Sequence, residues 1–274
     1  MLAGVYGPSL LPTTLQPPPV APVTGEDVRS ATTAARARLD QLLTTLGLAE
    51  SRAQAQALIV TGQVRVAGET VRRPAQLVPV GHRVDVLAPP RYVSRGGEKL
   101  APALERFGVQ VAGRVCADIG ASTGGFTDVL LQRGAARVYA IDVGRGLLHW
   151  RLRQDERVVV MERINARRLP PLPEPAPLVT VDVSFIALET VLPAIVAGTG
   201  AEELVVLFKP QFQVGRDQVG RGGVVRDRAA VEDARQRLQE WAPSIGIRVT
   251  GSVPAALRGA SGNQELLLHL QVRR

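Results

Sequence analysis

The spacing of apolar and polar positions divides the chain into three stretches. Residues 1 to about 35 carry no periodic apolar face. They are rich in Pro and Thr around Pro17-Pro18-Pro19, cannot bury much apolar surface, and are expected to be disordered. A different pattern begins at Arg38, where Leu39, Leu42, Leu43 and Leu46 recur at i, i+3, i+4 and i+7, one face of a helix that Gly47 ends. Ser51-Arg-Ala-Gln54 has capping-box spacing for a second helix through about Val60, and Gly62 stops it. Val64-Arg-Val66 and Val84-Asp-Val86 alternate with period two, with a turn at Ala67-Gly68, and predict short strands.

The third stretch follows Ala88-Pro89-Pro90, read as a stiff linker. A helical segment runs from about Leu100 to Phe107, with Pro102 expected in its first turn, where a missing N–H costs little. Apolar strand candidates then fall at residues 115–117, 137–141, 157–161, 178–181 and 204–208, with helical segments at 125–133 and 186–196. Strands alternating with helices predict a mostly parallel sheet with helices on both faces. Val231, Ala234, Leu238 and Trp241 mark the core-facing stripe of a helix over 227–241, and residues 247–253 and 265–272 read as a final strand pair. The predicted organisation is a disordered extension at 1–35, a small α+β domain at 36–88, a linker at 89–94 and a Rossmann-like α/β domain at 95–274.

Composition narrows the function classes. No apolar run approaches the length of a membrane span, and Met-Leu-Ala-Gly-Val-Tyr-Gly at the start lacks a basic n-region, so neither a span nor a secretory signal is expected. The single cysteine, Cys116, excludes an internal disulfide, and three scattered histidines (His82, His149, His269) argue against a structural zinc. The chain therefore reads as cytoplasmic and metal-free. Its net charge of +8 favours a polyanionic partner, although 31 arginines against two lysines also point to a general arginine preference. Distribution is more telling: residues 36–95 hold nine basic and four acidic side chains, most of the net charge in a fifth of the chain.

Val115-Cys-Ala-Asp118-Ile-Gly120-Ala-Ser122-Thr-Gly124-Gly125-Phe126-Thr-Asp128 reads as strand, glycine loop and helix. A P-loop would need Gly-Lys-Ser/Thr where Gly124-Gly125-Phe126 stands, and a dinucleotide fingerprint would need glycine at Ser122. The pattern D-x-G-x-x-x-G-G instead suits a cationic nucleoside such as S-adenosylmethionine. Asp118 is placed to hold the methionine end, and Asp142, ending the next strand, to accept from ribose hydroxyls. A generic α/β turn with a capping Asp is the alternative.

Only Lys99 and Lys209 escape the arginine bias, and a lysine, unlike arginine, can lose its proton and act as a base. Lys209 projects from the carboxyl end of a strand, where open α/β sheets bind ligands, and Lys99 follows a Gly-Gly pair. Asp182 ends the strand at 178–181 and Glu265 begins the last one, so two cations and two anions can meet in one crevice. Chance survival of two lysines is the alternative.

Residues 38–81 resemble the S4 RNA-binding domain through Arg38-Leu39-Asp40, Ser51-Arg52-Ala53-Gln54-Ala55, Leu58-Ile59, Gly62-Gln-Val64-Arg-Val66, Gly68, Pro74 and Gly81; Ala67 stands where the family often has Asn. From about Arg38 onward the chain is similar to the TlyA (hemolysin A) family of ribosomal RNA methyltransferases, an S4 domain joined to an FtsJ-like domain. The matching stretches include Tyr92-Val-Ser-Arg-Gly-Gly-Glu-Lys99, residues 118–128, Tyr139-Ala-Ile-Asp142, Arg163-Ile-Asn165-Ala-Arg167, Val181-Asp182-Val-Ser-Phe185, Phe208-Lys209-Pro-Gln-Phe212 and Gly262-Asn-Gln-Glu265.

The resemblance implies an S-adenosylmethionine-dependent methyltransferase acting on ribose 2′-hydroxyls of ribosomal RNA, cytidine by family. Lys99, Asp182, Lys209 and Glu265 would be the catalytic tetrad. Asp118, Gly120, Ser122, Gly124, Gly125, Phe126, Asp142 and Asn165 would form the cofactor site, and Arg38, Arg52, Arg65, Arg91 and Arg95 would meet RNA. For these arginines a merely solvated charged face is the alternative. At the level of the whole protein, the alternatives are a non-catalytic RNA-binding or ribosome-assembly factor and a hemolysin-like membrane-active protein. An intact tetrad and glycine loop weigh against the first; the second has no span or strongly amphipathic basic helix behind it.

Overall fold

The structure, a computed structural model, describes residues 35–87 and 90–273. By its internal packing the chain divides into two units, residues 1–88 and 89–274. The extension at 1–35 and the Ala88-Pro89-Pro90 linker lie outside the described residues apart from Ala35 and Pro90.

The first unit contains β1 (Arg36–Arg38), α1 (Leu39–Thr45), α2 (Arg52–Val60), β2 (Val64–Val66), β3 (Glu69–Thr70), β4 (Leu77–Pro79) and β5 (Val84–Val86). Leu39, Leu42 and Leu43 pack with Ala55, Ile59, Val64 and Val66 into one small core. Leu46 does not join them; α1 ends one residue earlier and Leu46 is half exposed. The cap of α2 is also displaced from the expected box. Ser51 Oγ accepts from the Gln54 N–H at 3.2 Å, but the Gln54 side chain accepts from Glu50, one residue before the cap. Ala67 (φ +52°) and Gly68 (φ +87°) join β2 to β3 in a two-residue turn with both residues left-handed, the form that matches strand twist.

The second unit contains α3 (Arg95–Phe107), β6 (Val115–Ile119), α4 (Gly125–Gln132), β7 (Arg137–Asp142), α5 (Trp150–Arg153), β8 (Val158–Glu162), β9 (Leu178–Val181), α6 (Leu188–Thr199), β10 (Glu203–Phe208), α7 (Arg228–Trp241), β11 (Ile247–Pro254) and β12 (Leu266–Val272). Its seven-stranded sheet has the order β11-β12-β10-β9-β6-β7-β8, with β12 antiparallel to both neighbours and the remaining pairs parallel. The expected Rossmann-like α/β sheet is present. One face packs against Leu100 and Leu104 of α3 and Val129 and Leu130 of α4; the other packs against α6 and α7.

Pro102 departs from expectation: α3 begins at Arg95 behind an N-cap at Ser94, so Pro102 sits mid-helix. A proline there removes one helical hydrogen bond. The apolar face of α3, with Leu100 and Leu104 fully buried, keeps the segment helical through it.

Candidate active site

Sheet topology assembles the site. Strand order reverses at β6, which lies between β7 and β9, and such a switch point opens a crevice at the carboxyl edge. Gly120, Asp142, Asp182 and Lys209 sit at or just beyond the ends of four parallel strands. Because β12 is antiparallel, with Leu266 opposite Phe208, its start brings Glu265 to the same edge.

Gly120 (φ +84°) lies so close to the next strand end that an added Cβ would stand 2.3 Å from the Asp182 carbonyl oxygen. Ser122 is also left-handed (φ +47°), and Gly124 caps α4. At Gly125 a Cβ would fall 2.3 Å from Ser94 Oγ, and at Gly97 one would fall 2.2 Å from Tyr92 Cγ. Glycine at Gly125 lets the starts of α3 and α4 touch, and glycine at Gly97 makes room for the Tyr92 ring. The Asp128 carboxylate accepts from the Val93 N–H at 2.8 Å, fixing the preceding segment on α4. The Gly-Gly pair before Lys99 is thus a packing device that brings Lys99 to the glycine loop.

Asp118 does not reach the crevice. Its carboxylate is fully buried and accepts from the hydroxyls of Thr127 at 2.7 Å and Thr180 at 3.0 Å. Burial pushes its carboxyl up to about 7, with the two threonines opposing. It braces β6 against α4 and β9 rather than facing a ligand.

A crevice of about 500 Å³ at this edge is lined by Gly120, Ser122, Asp142, Asn165 and Asp182 between apolar walls that include Leu147 and Ile164. Asp142 accepts from the backbone N–H groups of Ser122 at 2.8 Å and Gly144 at 2.7 Å. Asn165 follows β8, and its Oδ1 accepts from the Arg167 N–H. Phe126 is buried and lines a smaller adjoining cavity of about 140 Å³ with Lys99, Ser122 and Asp182.

Two of the four tetrad candidates, Lys99 and Asp182, line that cavity, and each forms an ion pair with one of the other two. Lys99 Nζ lies 2.5 Å from Glu265 Oε2, with side-chain exposures of 12% and 3%. Lys209 pairs with Asp182 and donates to Ser184 Oγ at 2.9 Å. Ser184 carries no role in the sequence reading; its only signal there is its place two residues after Asp182 in the matched stretch. Phe185, next along, has φ +62°, is 87% exposed and sits 5.0 Å from the Phe212 ring. Such a backbone is costly for a bulky residue, so the surroundings hold it there.

The arginines expected from the sequence to meet RNA divide between the units. Arg38 and Arg52 converge on Asp40, fully buried, which also accepts from Gln56 at 3.1 Å. The Arg38 guanidinium, with Gln56 and Arg52, holds the Asp40 carboxyl well below the usual range. Arg65 is exposed on β2. In the second unit the Arg91 guanidinium lies 5.3 Å from the Tyr92 ring centre, and Arg95 donates to the Arg258 carbonyl at 3.0 Å. Among the described residues no group of His, Cys, Asp and Glu is arranged to hold a metal, and no helix is long and apolar enough to cross a membrane.

A doubly wound sheet with a glycine loop after its central strand, an acidic residue ending the next and an antiparallel pair at one edge defines the Rossmann-like methyltransferase class. The model for FtsJ-like methyltransferases matches residues 92–272, and that for the S4 domain matches residues 37–84. The chain belongs to the FtsJ-like methyltransferase family, in the TlyA (hemolysin A) group that joins this domain to an S4 domain.

The 16S/23S rRNA (cytidine-2′-O)-methyltransferase TlyA of Mycobacterium tuberculosis is 47% identical over 245 residues, covering 88% of this chain and 91% of the relative. Hemolysin A of Brachyspira hyodysenteriae is 39% identical over 236 residues, covering 85% of this chain and 98% of that one. A solved structure from Streptococcus thermophilus, named as a hemolysin, has a TM-score of 0.67 at 39% identity and covers 88% of this chain and 90% of its own.

Proposed function

We propose that this protein methylates ribose 2′-hydroxyls of ribosomal RNA, at cytidine, with S-adenosylmethionine as donor, and that it works in the cytoplasm. The observation that carries this reading is two lysine–carboxylate contacts, each with one member (Lys99, Asp182) lining a small cavity beside a nucleoside-sized crevice. The crevice suits the donor. Each Asp142 oxygen holds one backbone N–H and keeps a lone pair for a ribose hydroxyl, Asn165 offers an amide to an adenine edge, and the apolar walls suit its faces. Asp182, which lines both cavities, takes the role toward the cationic methionine end that buried Asp118 cannot fill.

Bound there, S-adenosylmethionine supplies an electrophilic sulfonium methyl group. Lys209 serves as the acceptor for the 2′-hydroxyl proton, and Asp182 and Ser184 fix its position. Lys99, held by Glu265, orients the acceptor ribose; alignment of the hydroxyl supplies most of the rate gain. Phe185 offers an open aromatic face at the entrance for the acceptor base. The S4 unit contributes RNA affinity through arginines pre-set by Asp40.

Lys209→Ala should abolish methyl transfer to ribosomal RNA while changing the S-adenosylmethionine Kd by less than about threefold. Full activity in the folded variant would end the tetrad assignment. Mapping 2′-O-methyl positions with and without the protein identifies the nucleotide; no difference would favour a non-catalytic assembly role.

A further inference from the structure

A second crevice, of about 510 Å³, shares no lining residue with either cavity described above. Its walls come from residues 224–232 and 262–266, with Pro210 at one side and Arg258 at another. Pro210 directly follows Lys209 and Gln264 directly precedes Glu265, so this crevice begins one residue, about 3.8 Å along the backbone, from two members of the tetrad.

Its charge is unbalanced toward cations. Arg226, Arg228 and Arg258 line it, together with Asp227 and Glu232. Both acids are already engaged: Asp227 caps α7 by accepting from Ala229 and Ala230, and Glu232 pairs with Arg235. Arg258 uses one guanidinium N–H on the Gly262 carbonyl at 3.0 Å, which orients it. Arg226 and Arg228 make no ion pair with another described residue. Below this rim the floor is aliphatic, with Val225, Val231 and Leu266.

The crevice is also fastened to the catalytic edge. Asn263, 2% exposed, accepts from the Val225 N–H at 2.8 Å and donates to the Gly223 carbonyl at 2.7 Å. This one side chain ties the glycine-rich segment 215–223, which the proposed reaction leaves unused, to the turn that carries Glu265.

We propose that this crevice seats the RNA nucleotide next to the acceptor, its phosphate on Arg226, Arg228 and Arg258 and its base on the aliphatic floor. Arginine forks match phosphate oxygens in pairs, and an apolar floor under a cationic rim suits a nucleotide better than a bare anion. Asn263 is a positioning residue, holding this subsite in register with Glu265. The proposal rests on the ribosomal RNA reading above.

The test compares wild type, R226Q/R228Q and R226K/R228K on ribosomal RNA. For the glutamine variant the KM for RNA should rise about tenfold, the loss falling on KM rather than kcat, with an unchanged S-adenosylmethionine Kd. The salt slope of RNA affinity should become shallower by about 0.7 per lost phosphate contact. The lysine variant, charged but without the fork, should recover part of the loss. An unchanged KM and salt slope in the glutamine variant would overturn the subsite.

If wild type itself transfers no methyl group to RNA, the functional reading fails instead. The subsite is then judged by photocrosslinking wild-type protein to 4-thiouridine-substituted ribosomal RNA, which also decides the matter if the variants do not fold. Adducts within residues 224–232 or 258–266 support it, and adducts only elsewhere overturn it. Saturable binding of cytidine monophosphate, lost in R226Q/R228Q while the RNA KM is unaffected, would assign the crevice to a free nucleotide and also overturn it.

Discussion

Replacing Lys99 by methionine preserves chain length and most of the volume but leaves Glu265 without its cation. The two residues are 166 positions apart in sequence and 2.5 Å apart in space, with Glu265 3% and Lys99 12% exposed at the side chain. Glu265 has little room to relax, because its Oε1 packs where a Cβ on Gly259 would stand only 2.4 Å away. Stranding one member of a buried pair costs about 3–5 kcal/mol, whereas replacing both by apolar groups is often close to neutral. Lys99→Met should therefore destabilise the second unit by about 3–5 kcal/mol, and K99M/E265M should return to within about 1 kcal/mol of wild type. Urea unfolding followed by tryptophan fluorescence reads the right unit, since Trp150 and Trp241 both lie in it. Both variants should be inactive in methyl transfer, the double one despite its recovered stability. Single and double variants all within about 1 kcal/mol of wild type would refute a desolvated pair, and an active double variant would reduce the pair to a structural contact.

Two other expectations concern buried or strained positions outside the tetrad. Asp118, with its carboxyl pushed up to about 7 against an ordinary 3.8, keeps a proton in the folded state that the unfolded chain has released. Its contribution to stability is thus greatest below pH 3.8 and falls by up to about 4 kcal/mol as pH rises through 7. Asp118→Asn should lack that part of the slope in denaturant titrations from about pH 4 to 8, and a slope identical to wild type would refute the burial argument. In the first unit, Ala67→Asn should raise stability by about 0.5–1 kcal/mol, because Asn tolerates the left-handed φ of +52° better than Ala; a lower melting temperature for that unit would count against the turn assignment.

Periodicity makes most of the fold legible. The strands of the parallel sheet are short apolar runs ending in glycine, an acid or, at β10, Lys209, and α7 shows its stripe directly. The features that stay hidden depend on partners distant in sequence. β1 and β4 are three residues each and exist because they pair with one another, which neither segment signals alone. α3 reads as a loop until Leu100 because Gly96 and Gly97 are poor helix formers; Gly97 is there because a Cβ would stand 2.2 Å from Tyr92 Cγ, and the Ser94 cap starts the helix ahead of both. Asp118 reads as a ligand because an acid at a strand end before a glycine loop faces a crevice in one rotamer and a core in another. The burial of Thr127 and Thr180 around it decides for the core.

The direction of β12 explains why Glu265 reaches the carboxyl edge of the sheet at all. The parallel strands deliver Gly120, Asp142, Asp182 and Lys209 from their carboxyl ends, so a further parallel strand would bring only its C-terminal neighbours to this edge. A residue preceding such a strand would lie at the opposite edge, roughly 20 Å away across about six residues at about 3.3 Å each. Antiparallel pairing with β10 inverts this, and the register that sets Leu266 against Phe208 puts Glu265 beside the exit of Lys209. The turn before Glu265 is then free to carry Asn263 and the wall of the arginine-lined crevice on the same short segment. One strand reversal thereby couples the partner of Lys99 to the proposed seat of the neighbouring nucleotide. A shift of that register by one residue would turn the side chains of β12 to the other face and displace both together.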